Sequence, residues 1–428
     1  MLDIKFIREN PKVVERGARD KGIKIDISQV LDSDKNYRKL SESVQKLREE
    51  RNALNEKIKK NPNQWDKREA QSLKQKLEKE EQNLRSSKEK LDDLLLKIPN
   101  PALKGVSIGD ESKNKIIKKV GSPKKLDFSP RDHLELGEAL DIIDVKRAAK
   151  VSGTRFGYLK NEAVLLEFAL VQFVLEKLVS ENFIPVIPPV LIKNEVTRGL
   201  GYWQTGGNED YYSVKDFELG KNESASSLDL YLVGTGEHAT VPMHKDEVFT
   251  AKDLPKRYIV FSPCFRREAG SYGKDTRGIF RVHEFDKLEM ISYIMPENDE
   301  KERTKFLSLV EKMIQELELA YQVVKLASGD LAFPSANTID VETWIPSQKK
   351  YRETHSISTT TDFQARRLNI KYQDGNEKKY VHILNGTAFA IGRTIIAILE
   401  NYQQKDGSVE IPKVLQKYVG KTLIKPQK

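Results

Sequence analysis

Two long stripes of Leu, Ile and Val dominate the first hundred residues. Leu40, Val44, Leu47, Leu54 and Ile58 recur at spacings of 4, 3, 7 and 4, and Leu73, Leu77, Leu84, Leu91, Leu94 and Ile98 at 4, 7, 7, 3 and 4. These are the spacings of coiled-coil seams. The positions between them, over residues 28–98, are almost all Lys, Glu, Gln and Arg, which propagate helices. Asn61-Pro62-Asn63-Gln64-Trp65 interrupts the pattern with a proline and two asparagines, so the chain is predicted to fold back as an antiparallel helical hairpin. With about 30 residues per helix and roughly 1.5 Å per residue, the hairpin would project about 45 Å.

Pro99-Asn100-Pro101 ends the second helix, and a stretch rich in Lys, Ser and Gly running to about Pro130 reads as a linker. The pattern then becomes mixed. An apolar helix is predicted over 162–182, a Pro-bounded extended run over 183–191, and strands over 229–233, 257–263, 287–295 and 338–345. Strands at hairpin spacing predict an antiparallel sheet flanked by helices. The expectation is an α+β fold in two domains: a helical coiled-coil arm over 1–102 and a body over 103–428.

Charge adds a partner to this picture. The chain carries 73 Lys and Arg against 64 Asp and Glu, a net charge of +9, and residues 35–98 alone hold 18 against 12, a net of +6. An arm with most of the excess charge, and with Lys57, Lys59, Lys60, Lys67 and Arg68 near its tip, points to nucleic acid, although a solvated helical surface or a dimerising coiled coil has the same spacing. One cysteine, Cys264, cannot form an intrachain disulfide or a multi-cysteine zinc site, and is expected to be a small buried filler. No two of the six histidines are four residues apart, so no structural metal is expected. No 18-residue apolar run and no signal-like start are present, and the expectation is a cytoplasmic protein without a membrane segment.

A Walker loop and a Gly-x-Gly-x-x-Gly turn are both missing; Gly420-Lys421-Thr422 lacks the upstream glycine. The densest polar cluster is instead Cys264-Phe265-Arg266-Arg267-Glu268, a Gly-rich loop over 269–280, and Arg281-Val282-His283-Glu284-Phe285. Read as strand, loop and returning strand, alternation puts Arg266 with Glu268, and Arg281 with His283 and Phe285. Arginines for phosphates, an aromatic plane for a base and a carboxylate for an amino group outline a nucleotide site. An amphipathic hairpin with surface ion pairs has the same outline.

These residues resemble a known pattern. Phe265-Arg266-x-Glu268 followed by Arg281-x-x-x-Phe285 is similar to motif 2 of the class II aminoacyl-tRNA synthetases, and Gly392-Arg393 within 385–402 to motif 3. Glu268-Ala269-Gly270-Ser271, Asp275-Thr276-Arg277-Gly278-Ile279, Phe285-Asp286-Lys287-Leu288-Glu289-Met290, Glu400-Asn401-Tyr402-Gln403 and the opening Met1-Leu2-Asp3-Ile4-Lys5 resemble the seryl-tRNA synthetase family, of the bacterial-like type. Residues 183–189 look like motif 1, the dimer-forming segment of that class.

The resemblance implies a class II catalytic domain behind a tRNA-binding coiled coil. It also implies ATP-dependent activation of L-serine, then transfer of the seryl group to the 3′ end of tRNA(Ser), by a homodimer, and leaves open whether tRNA(Sec) is a further acceptor. For serine it implies Thr235, Glu237, Arg266, Glu289 and Thr387; for ATP, Arg266, Glu268, Arg281, Phe285, Glu353, Ser356 and Arg393. Glu353 and Ser356 would hold Mg2+ with the nucleotide. The arm's basic residues would meet the tRNA.

Two positions depart from the family pattern. His238-Ala239-Thr240 follow Thr235-Gly236-Glu237 where proline and aliphatic residues are frequent, and Thr387 stands where serine is frequent. His238 is expected to be a pocket-wall histidine rather than a general base. Tyr202-Trp203 fits an active-site lid and an ordinary surface loop equally well. A silent RNA-binding paralogue would have lost some of Arg266, Glu268, Phe285, Glu289 or Arg393, and a ligase acting on a carrier protein would lack the arm; this chain has all of them.

Overall fold

A computed structural model describes residues 1–61, 64–202, 207–214, 230–269, 275 and 277–426. Pro62 and Asn63 of the predicted turn, Trp203, Asp229, Gly270, Ser271 and Thr276 lie outside the described residues. The chain divides into two compact units, Met1–Pro99 and Asn100–Lys428.

The first unit is helical. Two short helices, α1 (Ile4–Glu9) and α2 (Pro11–Asp20), precede α3 (Ile27–Lys60) and α4 (Gln64–Leu96). The Asp26 carboxylate caps α3 by accepting the Gln29 N–H at 3.2 Å. Val44, Leu47 and Leu77 are buried along the seam with Leu73 and Leu84 packed against them, as the stripes predict. Arg48 Nη2 reaches Glu81 Oε1 across the hairpin at 2.8 Å. At 34 and 33 residues the helices are each about 50 Å long.

The second unit is built on an eight-stranded sheet: β1 (Lys115–Val120), β2 (Ile184–Val186), β3 (Lys256–Phe265), β4 (Glu284–Ile294), β5 (Tyr321–Lys325), β6 (Asn337–Ile345), β7 (Lys350–Thr359) and β8 (His382–Ala390). The order across the sheet is β1-β5-β6-β7-β8-β4-β3-β2, and every pairing is antiparallel except β2 with β3. Helices α5 (Glu162–Ser180), α6 (Asp299–Glu316) and α7 (Ile391–Tyr402) bury Phe173, Phe306 and Ile395 against one face, where Leu288 and Met290 of β4 point. Ile291 and Tyr293 of the same strand join a second apolar cluster on the other face. β4 is thus buried on both sides, which fixes its register and aims Phe285, Lys287 and Glu289 to one face.

Three expectations change. Part of the predicted linker is strand β1, which pairs with β5. Its sequence Lys-Ile-Ile-Lys-Lys-Val hides no alternation because an edge strand exposed along its length buries neither face. The extended run over 183–191 is not one strand: Ile184–Val186 joins the main sheet, whereas Leu191–Lys193 pairs with Leu230–Leu232 in a small separate sheet. Pro188 and Pro189, which have no N–H to give a ladder, fall between them. The alternation drawn through Arg266, Glu268, Arg281 and His283 does not apply either, since all four lie outside the paired strands.

Truncating the hairpin seam should loosen the first unit alone. Leu77→Ala is expected to cost about 2–4 kcal/mol, read as faster hydrogen exchange in α3 and α4. Trp65→Ala, at a position 81% exposed, should cost less than about 0.5 kcal/mol.

Candidate active site

The eleven residues singled out in the body line one cavity of about 380 Å³: Thr235, Glu237, Arg266, Glu268, Arg281, Phe285, Glu289, Glu353, Ser356, Thr387 and Arg393. They come from distant stretches of chain. The ladder does the assembling, because β4 lies between β3 and β8 and sets Glu289 opposite both Val260 and Thr387. His283 is not among the lining residues; its Nδ1 lies 2.9 Å from the Arg266 carbonyl and its backbone carbonyl accepts the Arg266 N–H. It shapes the turn rather than the cavity.

Several charges in this cavity pair with one another. Lys287 Nζ lies 2.6 Å from Glu289 Oε2, and both side chains are buried. Thr387 donates its hydroxyl to the same oxygen at 3.2 Å. Glu268, held at a left-handed φ of 52°, pairs with Arg281. Arg393 Nη1 lies 3.2 Å from Glu353 Oε1. Arg266 donates Nε–H to the Gly234 carbonyl at 3.0 Å, and its guanidinium carbon lies 5.4 Å from the centroid of the Phe285 ring. A buried charge without such partners would cost several kcal/mol.

Glu237 shows what burial does when the partners are neutral. Tyr202 donates its hydroxyl to both carboxylate oxygens at 3.1 Å, and Gln364 donates at 2.8 Å. Burial raises its pKa from 4.5 to about 7, with Glu289 adding to the rise and the donors and Lys287 opposing it. His238, also buried on the wall, accepts the Gly234 N–H at Nδ1, and burial followed by Arg266 and Lys287 holds its pKa well below the usual value. His238 therefore lines the cavity as a neutral imidazole. Cys264 is buried and its thiol is pushed up to about 11 by burial, which fits a filler.

Several residues that matter here were not singled out from sequence. Lys287 had a signal, because it sits midway between Phe285 and Glu289 on one strand and alternation puts all three together. Tyr202 was noticed only as a lid or surface candidate, and it is a wall residue bonded to Glu237. Gln364, Tyr211 and Asp340 had none, because tertiary folding alone brings them in. Asp340, opposite Ser356 in the ladder, is held well above the carboxylate range by burial and then by Glu353.

The basic arm residues lie in the first unit, all exposed. Lys57 bonds Asp66 across the hairpin at 3.0 Å and Lys59 pairs with Glu56 at 2.6 Å, so these two also brace the tip. Among the described residues no group of three or more His, Cys, Asp or Glu is placed to hold a metal ion, and no helix is long and apolar enough to cross a membrane.

Comparison with known proteins places both units. Residues 1–102 match the seryl-tRNA synthetase N-terminal domain, and residues 216–402 match the class II tRNA synthetase core domain (G, H, P, S and T). The serine--tRNA ligase of Dictyoglomus turgidum is 40% identical over 436 positions, covering 100% of each chain, and that of Thermobifida fusca is 40% identical over 433, covering 100% of this chain and 99% of its own. The crystal structure of seryl-tRNA synthetase from Pyrococcus horikoshii complexed with ATP superposes with a TM-score of 0.89 at 38% identity, covering 100% of both chains. The cytoplasmic serine-tRNA ligase from Naegleria fowleri in complex with AMP gives 0.86 at 29%, covering 100% of this chain and 99% of its own.

A buried carboxylate with a raised pKa makes stability depend on pH in a defined direction. Between pH 4.5 and about 7 the folded state keeps a proton on Glu237 that the unfolded chain has released, so stability falls as pH rises through that window. Glu237→Gln keeps the shape and cannot ionise. In urea unfolding it should match the parent below about pH 4.5 and exceed it by about 3 kcal/mol near pH 8. A difference that does not grow with pH would contradict a dry Glu237.

Proposed function

The chain belongs to the seryl-tRNA synthetase family, and on that premise we propose how its own residues carry out the reaction. It activates L-serine with ATP and transfers the seryl group to tRNA. The observation that supports the residue assignment is the convergence of eleven side chains of matching chemistry on one cavity.

In the first step the serine carboxylate attacks the α-phosphorus of ATP and pyrophosphate leaves. Arg266 bridges the carboxylate and the α-phosphate, where its guanidinium can bond both as charge accumulates. Glu268 accepts the adenine amino group and Phe285 stacks on the ring. Arg281 and Arg393 hold the triphosphate tail. Glu289 and Glu237 take the serine ammonium, and Thr235 and Thr387 present hydroxyls beside them. In the second step a 3′-terminal ribose hydroxyl of the tRNA attacks the seryl carbonyl and AMP departs. No side chain serves as nucleophile, so the protein supplies orientation and charge.

Glu353 and Ser356, one carboxylate and one hydroxyl on the cavity wall, suit Mg2+ better than a metal that needs a full protein cage. When bound with ATP, the ion neutralises phosphate charge. tRNA(Ser) lies against the arm through Lys57, Lys59, Lys60, Lys67 and Arg68, with tRNA(Sec) as a second acceptor for the same charging assay. The protein works in the cytoplasm, where these substrates are. It works as a homodimer, supported by Phe168 on α5 and Ile187 beside β2, which are 62% and 79% exposed in one chain. Light scattering should give about twice 49.0 kDa, near 98 kDa; an active species of single mass would refute the dimer.

Arg266→Ala should abolish serine-dependent pyrophosphate exchange with the fold intact, since even one oxyanion-hole donor is worth about 3–4 kcal/mol elsewhere. Near-normal exchange would remove Arg266 from the reaction. Deleting the hairpin, by joining Val30 to Ile98 through a short Gly/Ser link, should spare exchange and impair transfer through weakened tRNA binding. The salt dependence should flatten, at about 0.9 in logarithmic slope per lost duplex phosphate contact. Unchanged tRNA affinity and slope would make the arm a structural element.

A further inference from the structure

Phe280 stands where the loop after Glu268 returns to the sheet, and a relay that the two chemical steps do not use holds it in place. His133 accepts the Ile279 N–H at Nε2 over 3.2 Å. The His133 backbone N–H donates to Glu400 Oε1 of α7 at 3.1 Å, and Glu400 Oε2 accepts the Ser347 N–H at 3.0 Å. Gly278, at φ 74°, approaches so closely that a Cβ there would lie 1.9 Å from His133 Nε2. Only glycine meets both demands. Gly278 and Ile279 are therefore seated on the imidazole of a residue that α7 and the turn after β6 fix in turn.

The Phe280 ring so held is buried and meets two arginines. The guanidinium carbon of Arg352 lies 4.1 Å from the ring centroid and that of Arg393 5.0 Å. Asp275 grips Arg352 through two bonds of 2.6 and 3.1 Å. Like charges brought this close repel, and an aromatic quadrupole attracts each of them. The ring attracts the guanidinium as a cation without taking an N–H, so the Arg393 donors other than Nη1, which meets the Glu353 carbonyl at 3.1 Å and Oε1 at 3.2 Å, keep their hydrogen bonds for phosphate oxygens.

We infer that Phe280 is a positioning residue for ATP: its ring, seated by His133 and Gly278, orients the Arg393 guanidinium toward the triphosphate without competing for its donors. This rests on the assignment of Arg393 to the triphosphate made above.

The test is serine-dependent pyrophosphate exchange by the full-length protein. Phe280→Leu and Phe280→Met keep apolar volume and lose the ring; Phe280→Tyr keeps it. KM for ATP should rise roughly five- to twentyfold in both non-aromatic variants, as expected for one or two lost cation–π contacts. KM for serine should stay within about twofold, and Phe280→Tyr should restore the parent value. An unchanged KM for ATP in either non-aromatic variant that melts like the parent overturns the inference. So does a parallel rise for ATP and serine, which is the mark of general loosening. Arg393→Ala separates the two levels: if it leaves KM for ATP unchanged, the phosphate assignment fails and the inference falls with it. If it raises KM while the Phe280 variants do not, positioning by Phe280 alone is refuted.

Discussion

Charge has to be stored in a dry place before the substrates arrive. The cavity is cut into a sheet whose interior strand β4 packs apolar clusters on both faces, and its walls include buried Glu237, Glu289 and Lys287. Unpaired, each would cost several kcal/mol. The side chains meet this by pairing: Lys287 and Thr387 on Glu289, Arg281 on Glu268, Arg393 with Glu353, and Tyr202 and Gln364 on Glu237. Binding is then an exchange of partners. On the proposed assignment, ammonium, carboxylate, adenine amine and phosphates would each replace an internal contact of like chemistry, so that fixed dipoles and charges await them and little reorganisation remains for the reaction itself.

Such pairing needs positions held to fractions of an ångström, and the sheet provides them. With β4 between β3 and β8, one strand contributes Phe285, Lys287 and Glu289 while its neighbours bring Thr387 and the turn at Arg266 to the same side. Phe285 and Glu289, proposed for the nucleotide and for serine, therefore share one strand. The arm obeys a simpler rule, burying Val44, Leu47 and Leu77 along one seam and leaving its basic side chains outside.

What could be read from the sequence follows from how local each cause is. Heptad spacing and the Asn-Pro-Asn break are local, and the hairpin appears where they place it, with helices of 34 and 33 residues. Phe285 lies on a strand, so period-two reasoning reaches it and extends to Lys287, whereas Glu289 on the same strand enters through the motif resemblance. Arg266, Glu268 and Arg281 stand out as a dense polar cluster although they sit outside the ladder, where alternation does not hold and misplaces His283; their separate roles come from the motif they resemble. β1 reads as linker because an exposed edge strand shows no burial pattern. Gln364 lies 127 residues from the Glu237 it bonds, a pairing that no local signal announces.

On the proposed assignment, a buried, proton-holding Glu237 becomes the counter-ion of the serine ammonium. Isothermal titration of serine into the protein near pH 6.5, in buffers of different ionisation enthalpy, measures this directly. Glu237 holds a proton below about 7 in the free site, and an arriving cation favours its carboxylate form, so the proton should be released on binding. The expected result is net proton release that grows as pH falls below 7 and disappears in Glu237→Gln. Serine binding with no proton release at any pH between about 5.5 and 7 would contradict it.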